Sequence, residues 1–371
     1  MKIKLRGPVL LSVLTFISTF SSHGETAEHP GSLAEWKQMK NIVPNHYICG
    51  RASGRFTVDG DIKKTAWESA AWTEDFVDIE GAAKTAPRFR TRVKMLWDDD
   101  YFYVAAELEE PHVWATLTQH DSVIFQDPDF EVFIDPNGDS HDYYEFEINA
   151  LNTSWDLRLD KPYKDNGEAF NSWDIPGLRT GVRVQGTLNN ASDRDTGWTV
   201  EIAFPWKVLK EYAGTPAPPR DGDQWRVDFS RVEWDVRVEN AKYVKVPGKK
   251  EDNWVWSPQG IIDMHRPEQW GVVQFTTNSS GAAVFTPDSA FPVKRALQGV
   301  YYAQRDFQAA TGRWARGIDE LTKRTGFALD SIPVRLQADP NGYTASASAP
   351  GAGGHSRLWH IRQDARVWSD D

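Results

Sequence analysis

The sequence predicts a mainly β protein: an antiparallel β-sandwich of jelly-roll type followed by a small α+β domain at the C-terminus. Apolar and polar residues alternate with period two from about residue 47 to residue 275, and Gly, Asp, Asn and Pro interrupt the runs. The following stretch is rich in Thr, Ser, Gly, Ala and Pro, and helical spacing and short strand-like runs come after it. We therefore expect the sandwich at 45–276, a linker at 277–295 and a helix-plus-antiparallel-sheet domain at 296–371.

The strands of this fold can be placed in chain order. Residues 89–97 alternate and lead into the acidic turn at 98–100, so that 101–107 completes a hairpin. Further strands are expected at 129–135, 143–149, 154–160, 181–188, 197–204, 224–232 and 270–276. In the C-terminal part a helix is expected over 298–325, with strands at 331–338, 341–348, 356–361 and 365–369.

The N-terminus is typical of an export signal. Lys2, Lys4 and Arg6 precede an apolar stretch at 8–20, and small residues favour cleavage after Gly24. We therefore predict a signal peptide at 1–24, a polar leader at 25–44, and a secreted or periplasmic protein. The apolar stretch is too short to span a membrane, and we expect no membrane-spanning segment after the signal peptide is cleaved.

The net charge, the single cysteine and the tryptophan content each limit what the protein can be. The 371 residues include 42 Lys and Arg against 53 Asp and Glu, a net charge of −11, which argues against nucleic acid as a partner. The one cysteine, Cys49, cannot form an internal disulfide. The 17 tryptophans exceed what is ordinary, and each either fills the core or offers a flat face to a ligand.

A polar face on the middle strands is the candidate site. Successive side chains of a strand point to opposite faces, so Glu131 and Glu147 each lie opposite the apolar residues of their own strand. If the strands are neighbours, one face collects the polar groups Glu131, Glu145, Glu147, Asn149, Asp156, Arg158, Glu201 and Asp228. Such groups bond pairs of sugar hydroxyls, and an aromatic ring nearby packs on a sugar's C–H face. A face that merely meets water would show the same pattern.

Five segments, in order, resemble family 9 carbohydrate-binding modules. They are VDGDIKKTAW at 58–67, LWDDDYFYVAAEL at 96–108, DPDFEVFIDPNGDSHDYYEFEINALNTSWDL at 127–157, GWTVEIAFPWKVL at 197–209 and QWGVVQF at 269–275. The resemblance covers about residues 45–276. It implies a jelly-roll β-sandwich that binds an oligo- or polysaccharide without cleaving it, in support of glycan capture or breakdown.

The same resemblance suggests individual binding residues. Glu131 matches the family's strand glutamate and Asn149 its asparagine, whereas Glu147 stands where the family has an arginine. The two tryptophans that sandwich a sugar ring align near Phe125 and near Met264, which is followed by His265. Candidates to replace them, or to fill the core, are Trp155, Trp173, Trp254 and Trp256; Glu145 and Arg158 complete the predicted ligand-binding set.

Other functions remain open from the sequence. Asp135, Asn137 and Asp139 place oxygens at alternate positions of a turn, which suits a structural Ca²⁺, although Asp-Pro-Asn-Gly is also an ordinary turn. Paired carboxylates could serve a glycoside hydrolase if they lie about 5–10 Å apart. Haem ligation is disfavoured because the adjacent Met264 and His265 would point apart on a strand. A surface scaffold that contacts a protein through its C-terminal domain is the third possibility.

Overall fold

The computed structural model describes residues 29–278, 281, 283–329, 331–351 and 355–370. The expected signal peptide and the first four residues of the expected leader lie outside the described residues. The helices are α1 (Leu33–Met39), α2 (Trp206–Leu209), α3 (Phe291–Thr311) and α4 (Ile318–Thr325), with 3-10 turns at Thr65–Trp67, Ile124–Gln126, Tyr163–Asp165 and Pro267–Gln269. Within the described ranges, none of the helices has both the length and the apolar character needed to cross a membrane.

Nineteen strands make the described part of the protein mainly β. The first eleven are β1 (His46–Arg51), β2 (Val77–Asp78), β3 (Thr91–Trp97), β4 (Tyr101–Glu109), β5 (Asp129–Asp135), β6 (Tyr143–Asn149), β7 (Ser154–Leu159), β8 (Ala169–Phe170), β9 (Arg179–Gln185), β10 (Gly197–Pro205) and β11 (Gln224–Glu233). The others are β12 (Val236–Glu239), β13 (Lys242–Lys245), β14 (Asp252–Val255), β15 (Gly271–Phe275), β16 (Arg335–Asp339), β17 (Gly342–Pro350), β18 (Ser356–Arg362) and β19 (Val367–Ser369). The strands expected between 89 and 276 are thus confirmed to within a few residues.

Thirteen strands form one sheet, in the order β8-β7-β6-β5-β11-β15-β1-β3-β4-β10-β9, with β14 paired to β11 and β2 paired to β14. Most neighbours are antiparallel, as expected, but β1 is parallel to both β15 and β3. The expectation of a purely antiparallel sheet is therefore wrong at its centre. Parallel partners can be far apart in sequence, and the alternation within β1 gives no information about them.

The sheet curls until its two halves pack on each other. Phe146 of β6 lies in one half and Phe204 of β10 in the other, yet their ring centroids are 5.4 Å apart. The apolar faces of both halves line one buried core, which also holds Trp97, Trp198 and Trp225. The outward face of β5 and β6 is therefore free to carry polar groups.

The C-terminal segment differs from expectation in its helices. Strands β16 to β19 form a four-stranded antiparallel sheet close to the expected positions. The single helix expected over 298–325 is two helices, because Gly312 ends α3 in a left-handed conformation at φ 74°. Helix α3 also begins at Phe291, inside the expected linker.

The expected leader contains α1, whose Leu33, Trp36 and Met39 are buried. Trp36 stacks on Tyr302 of α3 with ring centroids 5.2 Å apart. The apolar cluster under the C-terminal sheet includes all three α1 residues together with Ile261. The C-terminal segment therefore shares a hydrophobic core with α1, which precedes the large sheet, and with Ile261, which lies between β14 and β15.

A buried polar cluster fastens α3 to the loop after β7. The Asp165 carboxylate accepts hydrogen bonds from the Tyr301 hydroxyl at 2.6 Å and from the Arg305 guanidinium at 2.9 Å. It also pairs with Lys164 at 2.7 Å, and both side chains of this pair are 1% exposed. The same short turn carries Tyr163, so α3 helps to hold that residue in place.

Candidate functional site

Strands β5 and β6 bring the predicted glutamates together. Glu131 lies directly across from Glu147 in the antiparallel pair, and Asp129 lies across from Asn149. Glu145 is two residues before Glu147 and faces the same side. Asp129, Glu131, Glu145 and Glu147 are called the acidic cluster below.

The acidic cluster is almost fully covered. Glu131, Glu145 and Glu147 are 5%, 6% and 2% exposed, and Asp129 is fully buried. Among the described residues, no Lys, Arg or His forms a salt bridge with any of the four carboxylates. Since a buried charge without a counter-ion is costly, these carboxyl groups favour their protonated forms.

Burial shifts each pKa of the cluster upward. It raises the pKa of Glu131 from 4.5 to about 7. Burial, with the charge of Glu131 added, raises the pKa of Glu145 to about 8. The same two causes raise the pKa values of Glu147 and Asp129 well above their ordinary range. Near neutral pH the cluster therefore holds protons that can be donated to a ligand's oxygen atoms.

Two oxygens of the cluster lack a hydrogen-bond partner among the described residues, Asp129 Oδ2 and Glu145 Oε2. Asp129, Glu131 and Glu147 each have one carboxylate oxygen that lies within 4.8 Å of the corresponding oxygens of the other two. This spacing would allow the three groups to share one cation or a set of protons. In either case the cluster still has oxygen atoms that could bind a proton or a cation.

Aromatic side chains border the acidic cluster. Trp155 of β7 lies across from Glu147, and the backbone N–H of Phe125 donates to Glu147 Oε2 at 3.0 Å. The indole N–H of Trp234 donates to the Phe125 carbonyl at 3.0 Å. Tyr163 is 47% exposed, and burial together with the charges of Glu145 and Glu147 raises its pKa to about 12. Trp155, Phe125, Trp234 and Tyr163 are called the aromatic rim of the site below.

Asn149 is used inside the protein. Its amide donates to the Leu117 carbonyl at 2.9 Å and to Asp127 at 3.1 Å. Its oxygen accepts from the backbone N–H groups of Leu151 and Thr153. With all of these positions occupied and no exposure, the residue shapes the turn after β6 and has no free group for a ligand.

Met264 and His265 lie at the other end of the same face. Met264 is 8% exposed and packs with Phe133 and Leu157. The His265 ring contacts the Tyr143 hydroxyl at 2.9 Å and meets the Tyr163 ring with centroids 4.5 Å apart. Burial lowers the pKa of His265 to about 4, which makes it a neutral support for the rim.

Three predicted binding residues lie elsewhere. Arg158 pairs across from Tyr144, on the face opposite the acidic cluster, and its guanidinium packs between two aromatic rings while binding Asp142. Trp173 stacks on Tyr144 with centroids 4.9 Å apart, on that same opposite side. Trp256 is fully buried in the core. The sequence showed which residues alternate within β7 but not how β7 aligns with β6.

Two other acidic positions of the expected polar face, Asp156 and Glu201, lie apart from the acidic cluster. Asp156 lies across from Phe146 and so faces away from Glu147. Glu201 is on β10, where it accepts from the backbone N–H groups of Asp59 and Gly60 and binds Lys64. These groups hold loops and strands and are outside the acidic cluster.

The side-chain oxygens of the predicted calcium turn accept hydrogen bonds from within the chain. Asp135 accepts from the N–H groups of Gly138 and Ser140 with its two oxygens. Asn137 accepts from the Asp139 N–H. The Asp139 oxygens accept from the N–H of His141 and from the Arg366 guanidinium. The arrangement is that of a self-bonded turn, and calcium binding at these residues stays a prediction.

Sequence reasoning missed Asp129, Tyr163 and Trp234 as neighbours of the site. Asp129 has the same parity as Glu131 on β5, so alternation could have identified it. Tyr163 and Trp234 come from loops whose approach to the face depends on tertiary packing, and no local pattern indicates it.

Comparison with known proteins agrees with this architecture. A family model described as "Carbohydrate family 9 binding domain-like" matches residues 58–275. The chain is 26% identical over 136 residues to Exoglucanase XynX of Acetivibrio thermocellus, a match that covers 37% of this chain and 10% of the enzyme. The chain thus spans about a tenth of the length of this curated relative.

Solved structures give a likeness of the same kind. A family 9 module of Caldicellulosiruptor kristjanssonii in complex with cellotriose is 18% identical, with a TM-score of 0.42 over 66% of this chain and 100% of that chain. A putative carbohydrate-binding protein of Bacteroides uniformis is 12% identical, with a TM-score of 0.47 over 63% of this chain and 100% of that chain. Family 9 modules are non-catalytic carbohydrate binders. Because the family model matches more than half of the sequence, the chain belongs to the carbohydrate family 9 binding domain-like family.

Proposed function

We propose that this protein binds a sugar without cleaving it, at the acidic cluster and its aromatic rim. The observation that carries the proposal is the direct pairing of Glu131 and Glu147, with Trp155 across from Glu147 and the Phe125 backbone bonded to it, in a chain of a carbohydrate-binding family. Aromatic rings offer a surface for the C–H face of a pyranose, while the carboxyl groups below offer partners for its hydroxyls.

The protonation state of the cluster suits this role. A protonated carboxyl group both donates and accepts hydrogen bonds, as a sugar hydroxyl does. Burial raises the pKa of Glu131 to about 7 and that of Glu145 to about 8. Near neutral pH, both the protonated and the ionised forms of these carboxyl groups are therefore available. A sugar has little direct access to these two carboxyl groups, because each side chain is at most 6% exposed. Binding therefore involves displacement of a rim residue, and Tyr163, at 47% exposed, is the most accessible.

Charge limits the class of sugar. Where the family places an arginine, this chain has Glu147, within an acidic cluster that forms no salt bridge among the described residues. An anionic sugar would lose its hydration without gaining a salt bridge, and any carboxyl of the cluster that ionises would repel it, so uronic acids are disfavoured. The preferred ligand is a neutral sugar or a cationic amino sugar.

The test is a titration of the chain with a panel of oligosaccharides, followed by tryptophan fluorescence and calorimetry. The panel contains cello-, xylo- and glucosamine oligomers and oligogalacturonate. We expect saturable binding of at least one of the first three, none of the last, and no release of reducing ends. The idea loses its support if no sugar binds at millimolar concentration.

A pair of variants tests whether the sugar binds at the acidic cluster. Glu131→Ala removes a hydroxyl partner and should weaken sugar binding by about 1–3 kcal/mol. Glu168→Ala removes an exposed glutamate from the loop before β8 and serves as the matched control. Equal affinities of the two variants would exclude Glu131 from the binding site.

The cellular setting of this activity is part of the proposal. The charged start and apolar stretch of residues 1–24 support export, so the protein would hold glycans outside the cytoplasm and assist their capture or breakdown. A protein contact through the C-terminal segment also remains a proposal. The faces of α3 that meet Trp36 and Asp165 are already occupied within the chain, which leaves the four-stranded sheet as the surface to test.

A further inference from the structure

A second group of polar residues lies on the other side of β7, away from the acidic cluster. His120 comes from the loop before β5, Asp156 from β7 and Asp174 from the loop after β8. The Nε2 atom of His120 is 3.4 Å from a carboxylate oxygen of Asp156, 3.4 Å from one of Asp174 and 3.4 Å from one of Asp121. Three separate loops and strands therefore converge on one atom.

The orientation of the His120 ring is set by its other nitrogen. Nδ1 lies 2.9 Å from the backbone carbonyl of Ser154, and a carbonyl oxygen can only accept. Nδ1 therefore carries the proton, and in the neutral ring Nε2 presents a lone pair to the carboxylates. A histidine that ligates a metal through one nitrogen commonly donates its other N–H to a carbonyl in this way.

Asp156 is held in a matching way. Its Oδ2 accepts from the backbone N–H of Ile175 at 2.7 Å, which fixes the carboxylate plane. Its Oδ1 faces His120 and has no hydrogen-bond partner in the part of the chain that the structure describes, although the side chain is only 2% exposed. A buried carboxylate oxygen that faces the Nε2 lone pair without a hydrogen bond is costly, and a cation bound by both atoms would relieve that cost.

The distances suit a small metal ion. The ligand atoms of His120, Asp156 and Asp174 all lie within 4.8 Å of one another. In a tetrahedral site with metal–ligand bonds of about 2.1 Å, neighbouring ligand atoms are about 3.4 Å apart. Each of the three contacts to Nε2 has this length. His120 and Asp174 are 51% and 66% exposed, so an ion can enter from solvent and keep a water ligand.

We propose that His120, Asp156 and Asp174 bind a divalent transition-metal ion of the zinc type, with Asp121 close enough to contribute. One imidazole and two or three carboxylates form a donor set for such an ion, since imidazole is a poor ligand for Ca²⁺ and Mg²⁺. The bound ion would tie the loop that carries Phe125 to β7. The metal ligands are separate from the residues proposed to bind sugar, because Asp156 faces away from Glu147.

The experiment is zinc titration of the untagged full chain after removal of metals with EDTA, followed by calorimetry and thermal unfolding. We expect one saturable site and a rise in Tm with added Zn²⁺. Asp174→Asn should weaken zinc binding at least tenfold and remove the rise in Tm. Because Asp174 is exposed, this variant should fold normally. Asp319→Asn, which changes an exposed aspartate of α4, should bind zinc as the unaltered chain does.

Three outcomes would overturn the proposal. Absence of saturable zinc binding below about 100 µM, or an Asp174→Asn variant that binds as tightly as the unaltered chain, would show that His120 is simply a charged imidazolium paired with carboxylates. Tighter binding of Ca²⁺ than of Zn²⁺ at the same residues would overturn the assignment to a transition metal. The imidazole ¹⁵N chemical shifts of His120 supply a readout that does not depend on stability.

Discussion

Replacing Glu131 by Gln should make the protein more stable at pH 8 while changing little below pH 5. Burial raises the pKa of this carboxyl from 4.5 to about 7. Between those values the folded chain holds a proton that the unfolded chain has lost. The free energy of unfolding therefore falls as pH rises through this window. Glutamine resembles the protonated carboxyl and cannot ionise, so it avoids the loss.

The size of the effect follows from the shift. One pKa unit corresponds to about 1.36 kcal/mol, so a change from 4.5 to about 7 gives a cost of about 3 kcal/mol once pH is above 7. The side chain is 5% exposed, so solvent screens this cost only weakly. Removing the charge also relieves Glu145, Glu147 and Asp129, whose pKa values are raised by burial and by Glu131. The gain at pH 8 should therefore reach the full value.

The assay is urea unfolding at pH 5 and pH 8, in EDTA, followed by tryptophan fluorescence. Glu168→Gln, in an exposed position, is the control and should show no difference from the unaltered chain at either pH. The reasoning fails if Glu131→Gln is the less stable protein at pH 8, or if its advantage does not grow between the two pH values. Either result would mean that the folded protein stabilises the ionised carboxylate.

Two further changes test the packing around the site. Asp165→Asn should lower the free energy of unfolding by about 3–5 kcal/mol in urea, because it leaves the buried Lys164 ammonium without its counter-ion; a loss under about 1 kcal/mol would show that water reaches this pair. Gly271→Ala should cost about 1–3 kcal/mol in the same assay, since the new Cβ would lie 2.3 Å from the ring of Trp256, which the core holds in place. Gly54→Ala, with no atom within 4 Å of its Cβ, is the control, and equal losses for the two glycines would contradict the clash.

Local alternation was enough to predict the strands and to place Glu131 and Glu147 on one face, because a period of two is a property of each strand by itself. It could not place Arg158, since the face that a residue shares with the next strand depends on register. The turn between β6 and β7, with Asn152 at a positive φ, sets Trp155 rather than Asp156 across from Glu147.

Local alternation also could not predict contacts between segments that are distant in the sequence. The burial of Trp36 against α3 joins residues whose separation leaves no periodic signal. The resemblance to the family directed attention to Phe125, which does contact Glu147, though through its backbone N–H. The convergence of His120, Asp156 and Asp174 likewise depends on three loops and strands that only the fold brings together.

The position of β1 has a consequence for synthesis on the ribosome. This strand emerges early, yet its partner along His46 to Cys49 is β15, which is translated after every other strand of the large sheet. Until β15 arrives, a nascent chain presents one side of β1 as an open strand edge that can recruit other chains. Export in an unfolded state, or a chaperone that covers this edge, would therefore favour the yield of correctly closed molecules.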